Sequence, residues 1–332
     1  MSITENAATA LGLDIGTSRI VLALHRETGF EFRSQLNAFV TVPYSRMTEC
    51  SLVTDGTPYE VCDGEIFVFG NEAERLAAML NTEIRRPMLE GMLNPEEPGG
   101  LTAIRKIVAS LTAQEEQRGY KVRYVVPAAV PGSNITYHAA AIRQVLEEFG
   151  FEAESINEGL AVVYGELEDT NYTGIGVSCG GGMCNVCLSY LSVPVRSFSL
   201  QKAGDYIDAN AAAATGELSL RVRLFKESQF QFNGAFADKI PQALNIYYDD
   251  MIQDLVRAMA EAFAASRSLP RTGRQMPIVL SGGSALPGGF RERFEAALRQ
   301  TDFPLPVSEV RLAAEPLHST AKGALMAALA DA

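Results

Sequence analysis

The strongest constraint on this chain is a plan that occurs twice. Residues 11–24, "LGLDIGTSRIVLAL", run as an apolar strand, a polar turn containing glycine, and a second apolar strand. Residues 172–191, "YTGIGVSCGGGMCNVCLSYL", repeat strand, glycine-rich turn and strand. Small residues at such tips leave backbone N–H groups free to point inward. More strand signal follows each unit, "FEFRSQLNAFVTVP" after the first and "VPVRSFSL" after the second, and helices then follow in each half. The helical stretches are 136–150, 247–266 and 288–300, where apolar residues recur on one face. Strands alternating with helices predict an α/β architecture. The stretch 37–97 is less regular, with strand-like "EIFVFG" (65–70) and helical "NEAERLAAMLN" (71–81), and reads as an insertion on the first half. The clearest breaks are "NPEEPGG" (94–100) and "SLPRTGRQMP" (268–277).

A length of 332 residues gives room for two domains, and an apolar fraction of 47% gives them a large core. The net charge of −12 repels a phosphate backbone, and no basic patch offsets it, so nucleic acid is disfavoured as a partner. The short clusters "EIRRP" and "RVRLFK" read as solvated faces. No apolar run approaches the ~20 residues that a membrane-spanning helix needs. "MSITENAATA" has neither a basic start nor an apolar stretch, and reads as a short leader without a membrane anchor. Five cysteines, an odd number, with no secretory signal point to a reducing compartment and a cytoplasmic location. Cys184 and Cys187 form a C-x-x-C, but on a strand positions three apart face opposite ways, so both read as small core residues.

Two glycine turns in two similar halves suggest a pair of hands closing on one ligand. Backbone N–H groups in such turns form anion-binding concavities. Asp14, at the first turn, either holds Mg²⁺ through water or caps its own turn. A third motif, "PIVLSGGSALPGGF" (277–290), favours the ligand reading: a strand, a Ser-Gly-Gly-Ser turn and a helix permit close approach of a flat ligand and favour negative charge.

Together these residues resemble the actin superfamily, which includes the heat-shock chaperone ATPases and the sugar kinases. "LDIGTS" (13–18) looks like its first phosphate motif, "INEGLAVVYG" (156–165) its first connecting motif and "SCGGGM" (178–183) its second phosphate motif. "AGDYID" (203–208) and "LSGGSALPGG" (280–289) resemble the adenosine-side motifs, and "EPLHSTAKGALMAAL" (315–329) the closing motif and last helix. They stand in the expected order across nearly the whole chain. "FVFGNEAERLAAMLNTEIRRPMLEGML" (67–93) and "LFKESQF" (224–230) are most similar to bacterial actins of the MreB and MamK type.

The resemblance implies an RNase H-like, two-lobed fold with four subdomains around a nucleotide cleft. The first lobe would span 10–150, carry an upper insertion at about 37–97 and be completed by 306–332. The second would span 151–305, with an upper subdomain at about 216–272. ATP or ADP and Mg²⁺ would sit at the floor, and the protein would polymerise with itself head to tail. Carried over by position, Gly16, Thr17 and Ser18 would meet the phosphates from one side and Gly180, Gly181 and Gly182 from the other. Asp14 would organise the metal's water, and Glu158 would orient the attacking water. Gly204, Lys226, Glu227, Gly282 and Gly283 would line the adenosine, with Asp205 and Ser284 from the same motifs.

The sequence departs from the family in one telling place. Members usually carry aspartate at the first position of "SCGGGM" and threonine at the last; here these are Ser178 and Met183. A serine can hold a metal-bound water but supplies no negative charge, so hydrolysis is expected to be slow while binding survives. Gly159 stands where many relatives have proline, which is expected to loosen the turn holding Glu158. The competing reading is a non-polymerising scaffold of the same fold with a structural nucleotide. A small-molecule kinase would need an aspartate base beside an acceptor pocket, and none is evident.

Overall fold

A computed structural model describes residues 10–80, 82–115, 119–130, 134–232, 236–266 and 275–331. The leader and most of the break at 268–277 fall outside them. The first unit is a meander of β1 (Ala10–Ile15), β2 (Arg19–Arg26) and β3 (Gly29–Leu36), each antiparallel to the last. Next come β4 (Phe39–Pro43), α1 (Arg46–Thr54), β5 (Tyr59–Cys62), β6 (Glu65–Phe69) and α2 (Asn71–Leu80), in which β4, β6 and β5 make a small sheet of their own. A hairpin of β7 (Met88–Leu89) and β8 (Met92–Leu93) leads to α3 (Gly100–Thr112), β9 (Lys121–Val126), α4 (Ile135–Glu148) and β10 (Glu152–Asn157). Helix α5 (Glu158–Glu166) then crosses to the second half.

That half opens with a second meander, β11 (Gly174–Cys179), β12 (Cys184–Tyr190) and β13 (Val193–Leu200). It continues through α6 (Gly204–Thr215), α7 (Ser219–Ser228), α8 (Lys239–Ala264), β14 (Met276–Ser281), α9 (Phe290–Gln300), β15 (Val307–Leu312) and α10 (Ser319–Ala330). The two large sheets have the same order: β10-β9-β1-β2-β3 and β15-β14-β11-β12-β13. In each, the first strand of the meander pairs parallel with a later strand, β1 with β9 and β11 with β14.

Two strands lie in the sheet opposite to the expected lobe. Glu152–Asn157, grouped by sequence with 151–305, pairs parallel with β9; Val307–Leu312, grouped with the first lobe, pairs parallel with β14. The reason is the crossover. A short β-α-β connection returns the chain beside the strand it left, so α4 delivers β10 to β9 and α9 delivers β15 to β14.

Each sheet anchors its own core, the first around Leu11, Leu13, Ile20, Leu22 and Tyr124, the second around Val177, Val186, Leu280, Tyr248 and Phe290. The halves meet through α5 and α10, whose crossing is made by small residues. A Cβ on Gly165 would stand 2.7 Å from Ser319 O, and one on Gly323 would stand 2.9 Å from Ala161 Cα with the carbonyl of Ala161 closer still. Cys184 packs in the second core and Cys187 against α5, on opposite faces of β12 as the alternation of a strand requires.

Candidate functional site

The two meanders aim their first turns at one cavity of about 430 Å³. The first turn closes with Gly16 N–H donating to Arg19 O (2.9 Å), and the second with Gly180 N–H donating to Met183 O (3.0 Å). Gly180 to Gly182 leave no side chain between backbone and cavity. A Cβ on Gly182 would lie 2.9 Å from Glu90 C, with Thr17 Oγ1 and Gly91 N nearer, so the tip of the β7–β8 hairpin sits directly on both turns. Gly91 N–H donates to Thr17 Oγ1 at 3.0 Å. Gly91 is itself obligatory, because its φ is +77° and a Cβ there would meet Met183 Cγ at 2.7 Å. Met183 thus supplies an apolar contact to the hairpin.

Two acids stand at the cavity floor. Asp14 is carried by β1, and Thr320 at the start of α10 donates to its Oδ2 at 2.5 Å. Burial pushes the Asp14 carboxyl up to about 6 against the pull of that hydrogen bond. Glu158 is the first residue of α5, just after Asn157, whose side chain caps the helix by accepting from Leu160 N–H at 3.1 Å. Burial and then the nearby charge of Asp14 push the Glu158 carboxyl up to about 8, with hydrogen bonds from Ser178 and Asn185 opposing the rise. Asn185 Nδ2 donates to Glu158 Oε2 at 2.8 Å, and Asn185 Oδ1 accepts from Ser199 at 2.5 Å. Ser178 is buried on β11, directly opposite Asn185 on β12.

The third glycine motif is clipped onto the second turn. Gly282 has φ +89°, and a Cβ there would lie 2.6 Å from Cys179 C, so only glycine permits this approach. Ser284 Oγ donates to Gly180 O at 2.8 Å. The start of α6 adds two more bonds, Gly204 N–H to Gly180 O (3.1 Å) and Asp205 N–H to Gly181 O (2.7 Å).

Asp14, Gly16, Thr17, Ser18, Glu158, Ser178, Gly180, Gly181, Gly182, Asp205, Lys226, Glu227, Gly282, Gly283 and Ser284 all line this cavity. Gly204 does not; it supports the wall from behind, its carbonyl accepting from Lys226 Nζ at 3.1 Å. Lys226 is buried and spends its charge on Asp208 Oδ2 at 2.8 Å, so it braces α7 against α6. Burial raises the Asp208 carboxyl, and Lys226 pulls it back.

Thr320, Asn185, Asp208 and Arg223 also line the cavity and were not singled out by sequence. Asp208 alone carried a local signal, three residues after Asp205 on one helix. Gly159 does not loosen the turn. A Cβ there would lie 2.6 Å from Cys187 N and 2.7 Å from Val186 C, so the glycine seats α5 directly on β12 and holds Glu158 firmly.

Paired five-stranded sheets of matching order, joined by two crossing helices around a cavity, define an actin-like fold. The chain superposes on a MamK double helical filament subunit with a TM-score of 0.71, at 20% identity over 96% of this chain and 98% of that one. It matches MreB 5 of Spiroplasma citri bound to AMPPNP with a TM-score of 0.68, at 13% identity over 96% and 95%. The ethanolamine utilization protein EutJ from Carboxydothermus hydrogenoformans gives 0.59, at 16% identity over 96% and 89%. No curated protein matches the sequence. The sequence pattern of the volactin family matches residues 9–328, and the chain belongs to that family. No helix among the described residues is long and apolar enough to cross a membrane.

Proposed function

We propose that this chain binds ATP or ADP with magnesium between its halves, assembles with its own copies head to tail into filaments, and hydrolyses ATP slowly. The carrying observation is the cavity floor: facing glycine turns, Asp14 and Glu158 together, and Ser178 where a further acid would stand. Neither Asp14 nor Glu158 forms an ion pair among the described residues, and both hold their protons more tightly than usual. Enclosed acids of this kind suit a divalent cation held by Asp14 through water. Magnesium there would neutralise phosphate charge. Thr17, Ser18 and the N–H groups of Gly180 to Gly182 would hold phosphate oxygens. Glu158, with Oε2 fixed by Asn185, would accept the proton of the attacking water. Losing one electrostatic contributor of the kind Ser178 replaces costs on the order of 10²–10³ in rate.

Self-assembly is supported by likeness to a filament-forming protein, and head-to-tail contacts between unlike faces generate open filaments. With this reading goes a division into two lobes at the α5–α10 crossing, β10 falling in the first and β15 in the second. The stretches 37–97 and 216–272 would form the upper parts. Phosphate release and negative-stain microscopy with ATP and Mg²⁺ test the proposal together. Filaments with turnover well below that of ordinary bacterial actins are expected. Brisk turnover would refute slow hydrolysis, and bound nucleotide without filaments would favour the scaffold reading, which Ser178 and Met183 also suit. Ser178→Asp is expected to raise phosphate release by about 10².

A further inference from the structure

Apart from the acids and glycines already described, the second meander carries a pair of thiols. Cys179 ends β11 and Cys184 begins β12, and the ladder sets them directly opposite each other. Gly180 N–H donates to Met183 O at 3.0 Å, so the neighbouring pair, Cys179 and Cys184, is a non-hydrogen-bonded one. Such pairs hold their Cα atoms about 4.5 Å apart, with both side chains on one face. A disulfide needs Cα atoms about 4.4–6.8 Å apart, so this backbone meets its geometry without moving. Both cysteines are fully buried and face the core of the second sheet. Cys184 Sγ donates to Lys202 O at 3.5 Å. The neighbouring Cys179 thiol, and after it burial, push the Cys184 thiol well up.

Between the two cysteines runs only the turn 180–183, whose glycines were assigned above to phosphate. The other thiols are placed differently. Cys187 projects from the opposite face of β12, and Cys50 and Cys62 are exposed on α1 and at the end of β5. A buried thiol of raised pKa is a poor nucleophile, so the facing pair is inert while the turn is seated. The glycine tip has no side chains to bury. It is held by hydrogen bonds from Gly204 N–H, Asp205 N–H and Ser284 Oγ. Local opening of that tip exposes the sulfurs, and a ligand that binds only the seated turn suppresses the opening.

We propose that Cys179 and Cys184 are a modification site, a thiol pair that small-molecule disulfides oxidise to a bond across the base of the second glycine turn. The bond fixes the turn, and a polyphosphate held there protects the thiols from oxidation. One cysteine thiolate first attacks the oxidant's disulfide and expels half of it as a thiolate. The facing thiolate then displaces the other half from the mixed disulfide. The cysteines lose two electrons, the oxidant's disulfide gains them, and the two protons pass to the two small thiols released. The bond is independent of the nucleotide reading above; the protection rests on it.

Hydroxyethyl disulfide, applied to the full chain carrying Cys50→Ser and Cys62→Ser, tests both parts. Mass spectrometry of proteolytic fragments is expected to show two hydrogens lost and Cys179 linked to Cys184, reversibly by dithiothreitol. Amide exchange across 180–183 should then slow by on the order of 10–100-fold, as closing so short a loop implies. ATP with Mg²⁺ at about 100 times its Kd should slow formation of the bond about 100-fold. A link made by Cys187 instead, or no link in the folded chain, would overturn the site. Unchanged amide exchange would overturn the fixing of the turn. Oxidation at one rate with and without ATP would overturn the protection and leave the thiol pair standing. The nucleotide reading falls with the protection only if calorimetry also finds no ATP bound.

Discussion

Strands β1 and β11 are built to one pattern and differ at its centre. Gly12-x-Asp14-x-Gly16 in the first corresponds to Gly176-x-Ser178-x-Gly180 in the second. The outer glycines serve the same end in both. Gly12 lets α10 lie on β1, where a Cβ would meet Leu325 Cβ at 2.8 Å, and Gly176 lets α5 lie on β11, where it would meet Val163 Cγ2 at 3.0 Å. The inner glycines open the turns. Between them Asp14 stands opposite Val21, whereas Ser178 stands opposite Asn185. The first half therefore presents a carboxylate to the cavity and the second a hydroxyl and an amide, on backbones of the same form. Geometry and chemistry are separable here: the cradle is two-sided, but charge comes from one side and from Glu158 on the connecting helix.

Breaking the charged side should have the largest effect. Asp14→Asn is expected to lower phosphate release by about 10²–10³, with nucleotide affinity losing its magnesium dependence in calorimetry; Ser178→Ala should change either quantity far less. Breaking the shared geometry comes next. Gly12→Ala and Gly176→Ala should each cost about 3 kcal/mol in denaturant unfolding, since each forces a methyl group onto packed backbone. Equal losses would sharpen the view that the two strands are structural equivalents; a loss confined to one would break it.

The smallest effect concerns the hairpin that covers the turns. His138 on α4 accepts from Leu93 N–H at 3.2 Å, and burial pushes its imidazole down to about 4. The folded state therefore binds fewer protons than the unfolded chain. The stability is whole above pH 6.5 and is lost as pH falls from there towards 4. His138 by itself contributes a loss of about 2 kcal/mol by pH 5, while the raised Asp14 and Glu158 carboxyls act in the opposite direction. The loss is therefore read as the difference between wild type and His138→Leu in how the urea midpoint changes from pH 7 to pH 5.

Much of the site was legible because glycine turns announce themselves locally. Asp14, the Gly180–Gly182 run and Gly282 each sit in a short strand–turn pattern that needs no partner to be recognised. Lys226 shows the limit. Its place at the cavity was readable, but its engagement with Asp208 was not, because an ion pair between two helices depends on how they pack. Gly159 shows the same limit in reverse. As a sequence symbol it suggests flexibility, yet contact with the backbone of β12 makes it a point of close fit.

The sequence by itself determined the doubled strand–turn–strand plan, the glycines of the cradle and the absence of an acid at Ser178, since side-chain alternation and turn formation are governed over a few residues. Only the tertiary structure decided which groups act together. Thr320 reaches Asp14 across 306 positions and Arg223 reaches Glu74 across 149, because helices α10, α2 and α7 take their places by burying apolar faces. Hydrophobic burial is non-directional and carries no record in sequence of which polar atoms it will bring within 3 Å.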